Sequence, residues 1–381
     1  MKSQLSLSTA VLFGLTIALS SHASGQNIHF EFDERDHVIS ARYWGRPGDL
    51  ESLNLKRHPR LESLEIVYYT TLNRIDLDQI SKISSLEELR FGQDAILGET
   101  TKLEFDPAPL KSLKKLLSLK LAISEFDQDD WGFLKQLPRL QTLEIDVGVD
   151  FNAKPCKLTD EFGKTVGEIP SLLDLEVLSA KDLTDRFIHY ATEGHSKLEG
   201  LRLSGGNFSD EALRRISQRL TNLRVLELGG EQISDQGMKY LSRLVALQDV
   251  HIYARNLTGE SIRSAAKIET LESLELSVES VKPEDFKALA KLPRLKRIIL
   301  RKLKMTDELL SSLKGHPTLV SLFCDGDQLS EDKTIQFVRS LPEVEYISVG
   351  ARSSRLQQAI SREVERIERL RSVSDPSSGR E

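Results

Sequence analysis

Few residues in this chain are of a type and spacing that could do chemistry. Asp127, Asp129 and Asp130, beside Trp131, offer three carboxylates to a divalent cation. The same acids suit the positive end of a helix, and that is the reading adopted. There are two cysteines, Cys156 and Cys324, far apart in the chain, and no disulfide between them is expected. Eight histidines are scattered; His58 and His316 each precede a proline, which points to a shared turn role. There is no Gly-rich phosphate loop, no His-x-x-x-His pair and no Gly-x-Ser-x-Gly elbow. No catalytic residue, metal or cofactor is therefore expected. What recurs instead is charge at a regular interval, in Glu176, Arg202, Glu227, His251 and Glu275.

The element that must position those charges is a short phrase, Leu-x-x-Leu-x-Leu. It is clearest at Leu223/Leu226/Leu228, Leu247/Val250/Ile252, Leu271/Leu274/Leu276, Leu295/Ile298/Leu300 and Leu319/Leu322/Cys324, whose leading residues are 24 apart. Degenerate copies at 23 to 32 residues extend the series from Val38/Ala41/Tyr43 to Val344/Ile347/Val349, making about thirteen. Apolar residues at the fourth and sixth positions fit a short strand with one face buried. A unit of this length cannot bury its own apolar edge and must stack on its neighbours.

Midway through most units stands an apolar residue, then Ser or Thr, then Asp. Examples are Leu158-Thr159-Asp160, Leu183-Thr184-Asp185, Phe208-Ser209-Asp210, Ile233-Ser234-Asp235 and Met305-Thr306-Asp307. The hydroxyl caps a helix and the acid suits its dipole. Proline closes many of these helices just before the next strand, at Pro59, Pro138, Pro170, Pro293, Pro317 and Pro342. Each unit is expected to run strand, turn, capped helix, proline stop. Asn207-Phe208-Ser209 and Asn256-Leu257-Thr258 match a glycosylation acceptor pattern, but capping already accounts for Ser209 and Thr258.

Over residues 38–350 these phrases resemble the leucine-rich repeat family, in particular its helix-bearing ribonuclease-inhibitor-like and F-box-associated types and similar repeats of secreted bacterial proteins. The resemblance implies an α/β solenoid of about 12–13 repeats, curved, with a parallel sheet on the concave face and helices outside. It also implies a binding protein. The family usually places Asn or Cys three residues after the last strand leucine; here stand Gly206, Glu231, Arg255, Glu279, Leu303 and Asp327. That polar ladder is absent, so the turns are expected to be looser or hydrated.

The ends read differently. Residues 1–25 carry Lys2, an apolar run Ala10–Leu19 and small residues near Ala23, the pattern of a secretory signal too short to span a bilayer. Its removal would take the formal charge from −6 to −7. An acidic chain of this kind disfavours nucleic acid and anionic membrane as partners. Disulfide-bonded end caps, usual in secreted animal and plant members, have no cysteines to form them, so a bacterial periplasmic or extracellular setting is expected. Residues 26–350 form the solenoid, beginning with a cap hairpin at about 27–44; residues 351–372 form a capping helix with Leu356, Ile360, Val364, Ile367 and Leu370 on one stripe; residues 373–381 form a disordered tail.

Function then falls to the surface. Alternation places the fifth phrase position outward, giving the column Arg42, Glu65, Arg90, Lys120, Glu144, Glu176, Arg202, Glu227, His251, Glu275, Ile299, Phe323, Ser348. Between Glu227 and Glu275, His251 is expected to favour its charged form. The column turns apolar at Ile299 and Phe323, with Tyr253, Arg297, Arg301 and Tyr346 on the same face, a hot-spot composition. Oversized units add rim loops at about 92–104 and 147–157, where Asp150, Phe151 and Lys154 are candidate contacts. The expected partner is a protein, with an envelope polysaccharide second; self-association into a homo-oligomer is the competing use of the same face.

Overall fold

The computed structural model describes residues 28–44, 54–67, 74–92, 107–122, 128–147, 158–178, 181–194, 197–350 and 354–374. Among them, fourteen strands form one sheet in unbroken sequence order. They are β1 (Ile28–Phe32), β2 (Val38–Tyr43), β3 (Ser63–Ile66), β4 (Glu88–Phe91), β5 (Ser118–Ala122), β6 (Thr142–Asp146) and β7 (Asp174–Leu178). There follow β8 (Gly200–Leu203), β9 (Val225–Gly229), β10 (Asp249–Thr258), β11 (Ser273–Ser280), β12 (Arg297–Thr306), β13 (Ser321–Gln328) and β14 (Tyr346–Ser348). Strand β1 pairs antiparallel with β2, and every later pairing is parallel.

Among the described residues, ten α-helices lie between or after the strands: α1 (Arg74–Ile80), α2 (Phe162–Gly167), α3 (Asp185–Ala191), α4 (Asp210–Arg219), α5 (Asp235–Met238), α6 (Gly259–Ala265), α7 (Pro283–Leu289), α8 (Asp307–Ser311), α9 (Glu331–Ser340) and α10 (Ser354–Ser374). Parallel strands sit about 4.8 Å apart whereas helices need about 10 Å, so the stack bends with its sheet inside. The units after β4 and β5 depart from the expected plan and carry 3₁₀ turns at Ala108–Ser112 and Gln128–Gln136. In the first of these Pro109 supplies no N–H for an α-helical bond.

The inward leucines make one continuous core from Val38 to Val364. Leu226, Leu228, Leu274, Leu276, Leu322 and Cys324 are all wholly buried, and Cys324 serves there as a small apolar side chain.

The Ser/Thr-Asp phrase does more than cap. Thr184, Ser209, Ser234, Thr258 and Thr306 do accept an N–H from their own helix. Each following Asp, in addition, receives the backbone N–H and the hydroxyl of the cap in the next unit. Asp160 holds Thr184 (2.8 and 2.6 Å), Asp185 holds Ser209 (2.9 and 2.5 Å) and Asp210 holds Ser234 (2.8 and 2.7 Å). Asp235 holds Thr258 (3.0 and 2.6 Å) and Asp307 holds Ser330 (2.9 and 2.8 Å). A polar ladder therefore does tie the units together, made of carboxylates at the helix starts. Where Gly259 takes the Asp place, the next cap is served from within its own unit: Asp285 accepts the Lys282 N–H at 2.8 Å and pairs with Arg263. Gly259 is what makes room, since a Cβ there would lie 1.8 Å from the Asp285 carboxylate. At Thr159 the cap is not made, and its buried hydroxyl has no partner among the described residues.

The two turn histidines have different jobs. His58 packs its ring on Phe30 of the N-terminal hairpin, 5.3 Å between centroids. His316 is buried, with Nε2 3.3 Å from the Leu289 carbonyl and Nδ1 accepting from the Thr318 N–H at 3.3 Å. That pattern needs the neutral, Nε2-protonated ring. Burial holds its pKa below 6.5. The unfolded chain therefore binds a proton that the folded chain refuses as pH falls through about 6.5, and stability drops. His316→Gln should remove about 1 kcal/mol of the loss seen between about pH 7 and 5.5 in urea melts; identical pH profiles would refute this.

Candidate functional site

The outward column of the sheet pairs residue against residue, from Arg42↔Glu65 through His251↔Glu275 to Phe323↔Ser348. Its charges do not simply pair along the row. Arg42 reaches Glu65 at 2.5 Å and Lys120 reaches Glu144 at 2.8 Å, but Arg90 turns to Glu88 on its own strand. Arg202 leaves the row for Asp174 at 2.7 Å. Gly200 permits this, because a Cβ there would meet the Asp174 carboxylate at 2.4 Å. Glu176 is left with no ion pair among the described residues; burial, with Glu144 beside it, pushes its pKa up. Burial likewise raises Asp174 and Asp249.

Between β9 and β12 the polar groups converge. Glu275 is only 5% exposed and accepts from Arg301 Nε at 2.5 Å. Tyr253 lies alongside; burial and the charges of Glu275 and Glu227, together with its hydrogen bond to Glu275, hold the phenol protonated well above its ordinary range. His251 Nδ1 stands 3.9 Å from Glu227 and Nε2 3.5 Å from Ser273. Two of the expected surface residues, Tyr253 and Arg301, are therefore tied into one network through Glu275.

Beside this network, at the C-terminal ends of the strands, is a cleft of about 360 Å³ that sequence reasoning missed. Its floor is Gly205, Gly206, Gly229 and Gly230, and its walls include Tyr253, Arg255, Ser277 and Lys302. A Cβ on Gly206 would lie 2.1 Å from the Phe208 ring, and one on Gly230 would lie 2.0 Å from the Phe208 carbonyl oxygen. Two Gly-Gly pairs 24 residues apart, in the same phase of the repeat, were the signal in the sequence. Arg255 pairs with Glu231 at the mouth, while Lys302 holds a left-handed backbone, φ 63°.

Toward the C-terminal end Ile299 and Phe323 are half-buried neighbours, Arg297 pairs in register with Ser321, and Ser321 with Tyr346, which is 56% exposed. The terminal helix does not cover them. In α10, Leu356, Ile360 and Val364 are buried and Gln357 donates to the Ile347 carbonyl at 2.8 Å, so the helix closes the end of the stack, with Leu370 left 59% exposed. Asp150, Phe151 and Lys154 lie outside the described residues, as do Cys156, most of both rim loops and residues 1–27. Trp131 is core, packed on Phe162 at 4.7 Å, and no three His, Cys, Asp or Glu among the described residues are placed to hold a metal. No described helix is long and apolar enough to cross a membrane.

No protein-family model and no curated protein sequence matches this chain. Among solved structures its fold is similar to an internalin (inlF) from Listeria monocytogenes str. 4b F2365, with TM-score 0.52 and 15% identity over 82% of this chain and 87% of that one. A weaker likeness, TM-score 0.49 and 20% identity over 76% of this chain and 68% of that one, is to a chain of the Rad7 and Elc1 complex of yeast. The thirteen in-register parallel strands, the single leucine core and the internalin-like course of the chain lead to one conclusion: in fold, this protein is a leucine-rich-repeat solenoid.

Proposed function

We propose that the chain is a non-catalytic, exported scaffold that captures a partner protein on its sheet face. The observation that carries this is the open C-terminal part of that face, where Ile299, Phe323 and Tyr346 sit with Arg297 beyond the reach of the terminal helix. Aromatic and arginine side chains on a rigid sheet match binding hot spots, which concentrate the energy of an interface in a few residues. Export rests on Lys2 and the apolar run Ala10–Leu19, in a bacterial setting. Capture from the secreted or periplasmic fraction, with mass spectrometry of the captured protein, tests the reading. Phe323→Ala should lower capture about tenfold while the solenoid stays folded. A homo-oligomer that buries the sheet face would instead make this a structural module, and light scattering would reveal it.

A further inference from the structure

Resting on that protein-binding reading, we infer that the face from the cleft to Tyr346 takes an extended acidic segment of the partner that also carries apolar side chains. The chain as a whole has a formal charge of −6, yet strand β12 from Arg297 to Thr306 holds four Lys or Arg and no acid, and all four are exposed. One of them is committed, Arg301 to Glu275 at 2.5 Å. Arg297 on the sheet and Lys302 in the cleft wall have no ion pair among the described residues. Lys302 reaches the cleft from a backbone conformation that disfavours any side chain, and such strain persists where the surroundings impose it.

Charge alone would suit any polyanion. Ile299 and its register neighbour Phe323, half-buried beside Arg297, favour a peptide over a sulfated sugar chain, because such a chain has no aliphatic or aromatic side chains to bury there. From β8 to β14 are six inter-strand steps of about 4.8 Å, roughly 29 Å, which an extended peptide spans with about nine residues at about 3.3 Å each. The acids farther back, Asp174, Glu176, Glu227 and Asp249, oppose an anionic ligand, so its carboxylates belong over β12 and not over β7 to β10.

Selection of nonamer peptides from a random display library on the immobilised full chain tests this, followed by fluorescence anisotropy of the enriched peptides. Enriched sequences should be net negative with at least one aromatic or aliphatic residue. Arg297→Glu and Phe323→Ala should each weaken them about tenfold, Arg297→Ala less, and Arg90→Ala at the far end should leave them within about twofold. Neutral or basic winners, or winners indifferent to Arg297→Glu, would overturn the acidic assignment while leaving protein binding intact. Heparin or single-stranded DNA bound through Arg297 more tightly than the enriched peptides would overturn it in favour of a polyanion site. No enrichment, together with no partner captured, would overturn both readings.

Discussion

Asp235→Ala should cost about 3 kcal/mol, more than any single change on the sheet face, because it removes one acceptor from four donors. Asp235 receives the Thr258 N–H at 3.0 Å and hydroxyl at 2.6 Å, the Ser261 N–H at 3.1 Å, and the Ser261 hydroxyl. Ser261 is wholly buried, so its donors cannot turn to water when the carboxylate is gone. Burial pushes the Asp235 pKa up, but the hydrogen bonds from Ser261 and Thr258 outweigh it and hold the group below its ordinary value. The folded chain therefore keeps this carboxylate ionised where the unfolded chain takes up a proton. Its contribution is complete above about pH 4 and fades as pH falls further. Asp235→Asn retains an acceptor and should cost about half as much. Because neighbouring units carry an array, the loss should appear first as faster amide exchange at Leu257–Ser261 and then as a lower urea midpoint. A midpoint shift equivalent to less than about 0.5 kcal/mol would show that the ladder is not what joins the units.

The architecture was legible because its signal is one of phase. Leucines at Leu226 and Leu228, repeated after 24 residues at Val250 and Ile252, leave a single register in which every apolar side chain is inward, and that register is the one found. The outward column followed from the same alternation. What stayed hidden depends on which unit a side chain reaches. Asp210 reads as a helix-dipole partner of its own helix until the stack places Ser234 beside it, 24 residues on. Arg202 has Glu176 and Glu227 as register neighbours, yet it pairs diagonally with Asp174, because Gly200 on its own strand leaves that space open. The cleft needed Gly205-Gly206 and Gly229-Gly230 to be read as a floor, and four residues without side chains give no hydrophobic pattern to notice. Of the binding candidates, the six on the sheet could be placed by period alone. No period reaches the inserted Asp150, Phe151 and Lys154.

Acid should release the terminal helix before it melts the solenoid. Glu363 on α10 is clamped by two arginines, Arg339 from α9 (2.9 and 3.0 Å) and Arg366 one turn along its own helix (2.7 Å). The Arg339 hydrogen bonds outweigh the opposing effect of burial and, with that of Arg366, lower its pKa from 4.5 to about 2. Between those values the undocked helix gains a proton that the docked helix refuses, so docking is strongest above about pH 4.5 and weakens steadily below it. The Glu363 side chain is 10% exposed, whereas Arg339 and Arg366 are 54% and 60% exposed and recover much of their hydration when the clamp opens. Glu363→Ala should therefore cost about 2 kcal/mol, toward the lower end for a partly buried charged network. Glu363→Gln should abolish the acid step between about pH 4.5 and 2 while preserving the shape of the side chain. Undocking uncovers Val344, Ile347 and Val349 and bares the edge of β14, which invites edge-to-edge association. Limited proteolysis within residues 354–374 as a function of pH reads the step directly. A cleavage profile that does not differ between the natural chain and Glu363→Gln would mean that apolar packing by Leu356, Ile360 and Val364 holds the helix unaided. Tyr346 stands on β14 itself, so if the clamp does hold, the end of the sheet proposed to grip a partner is kept in register by a carboxylate on the helix that caps it.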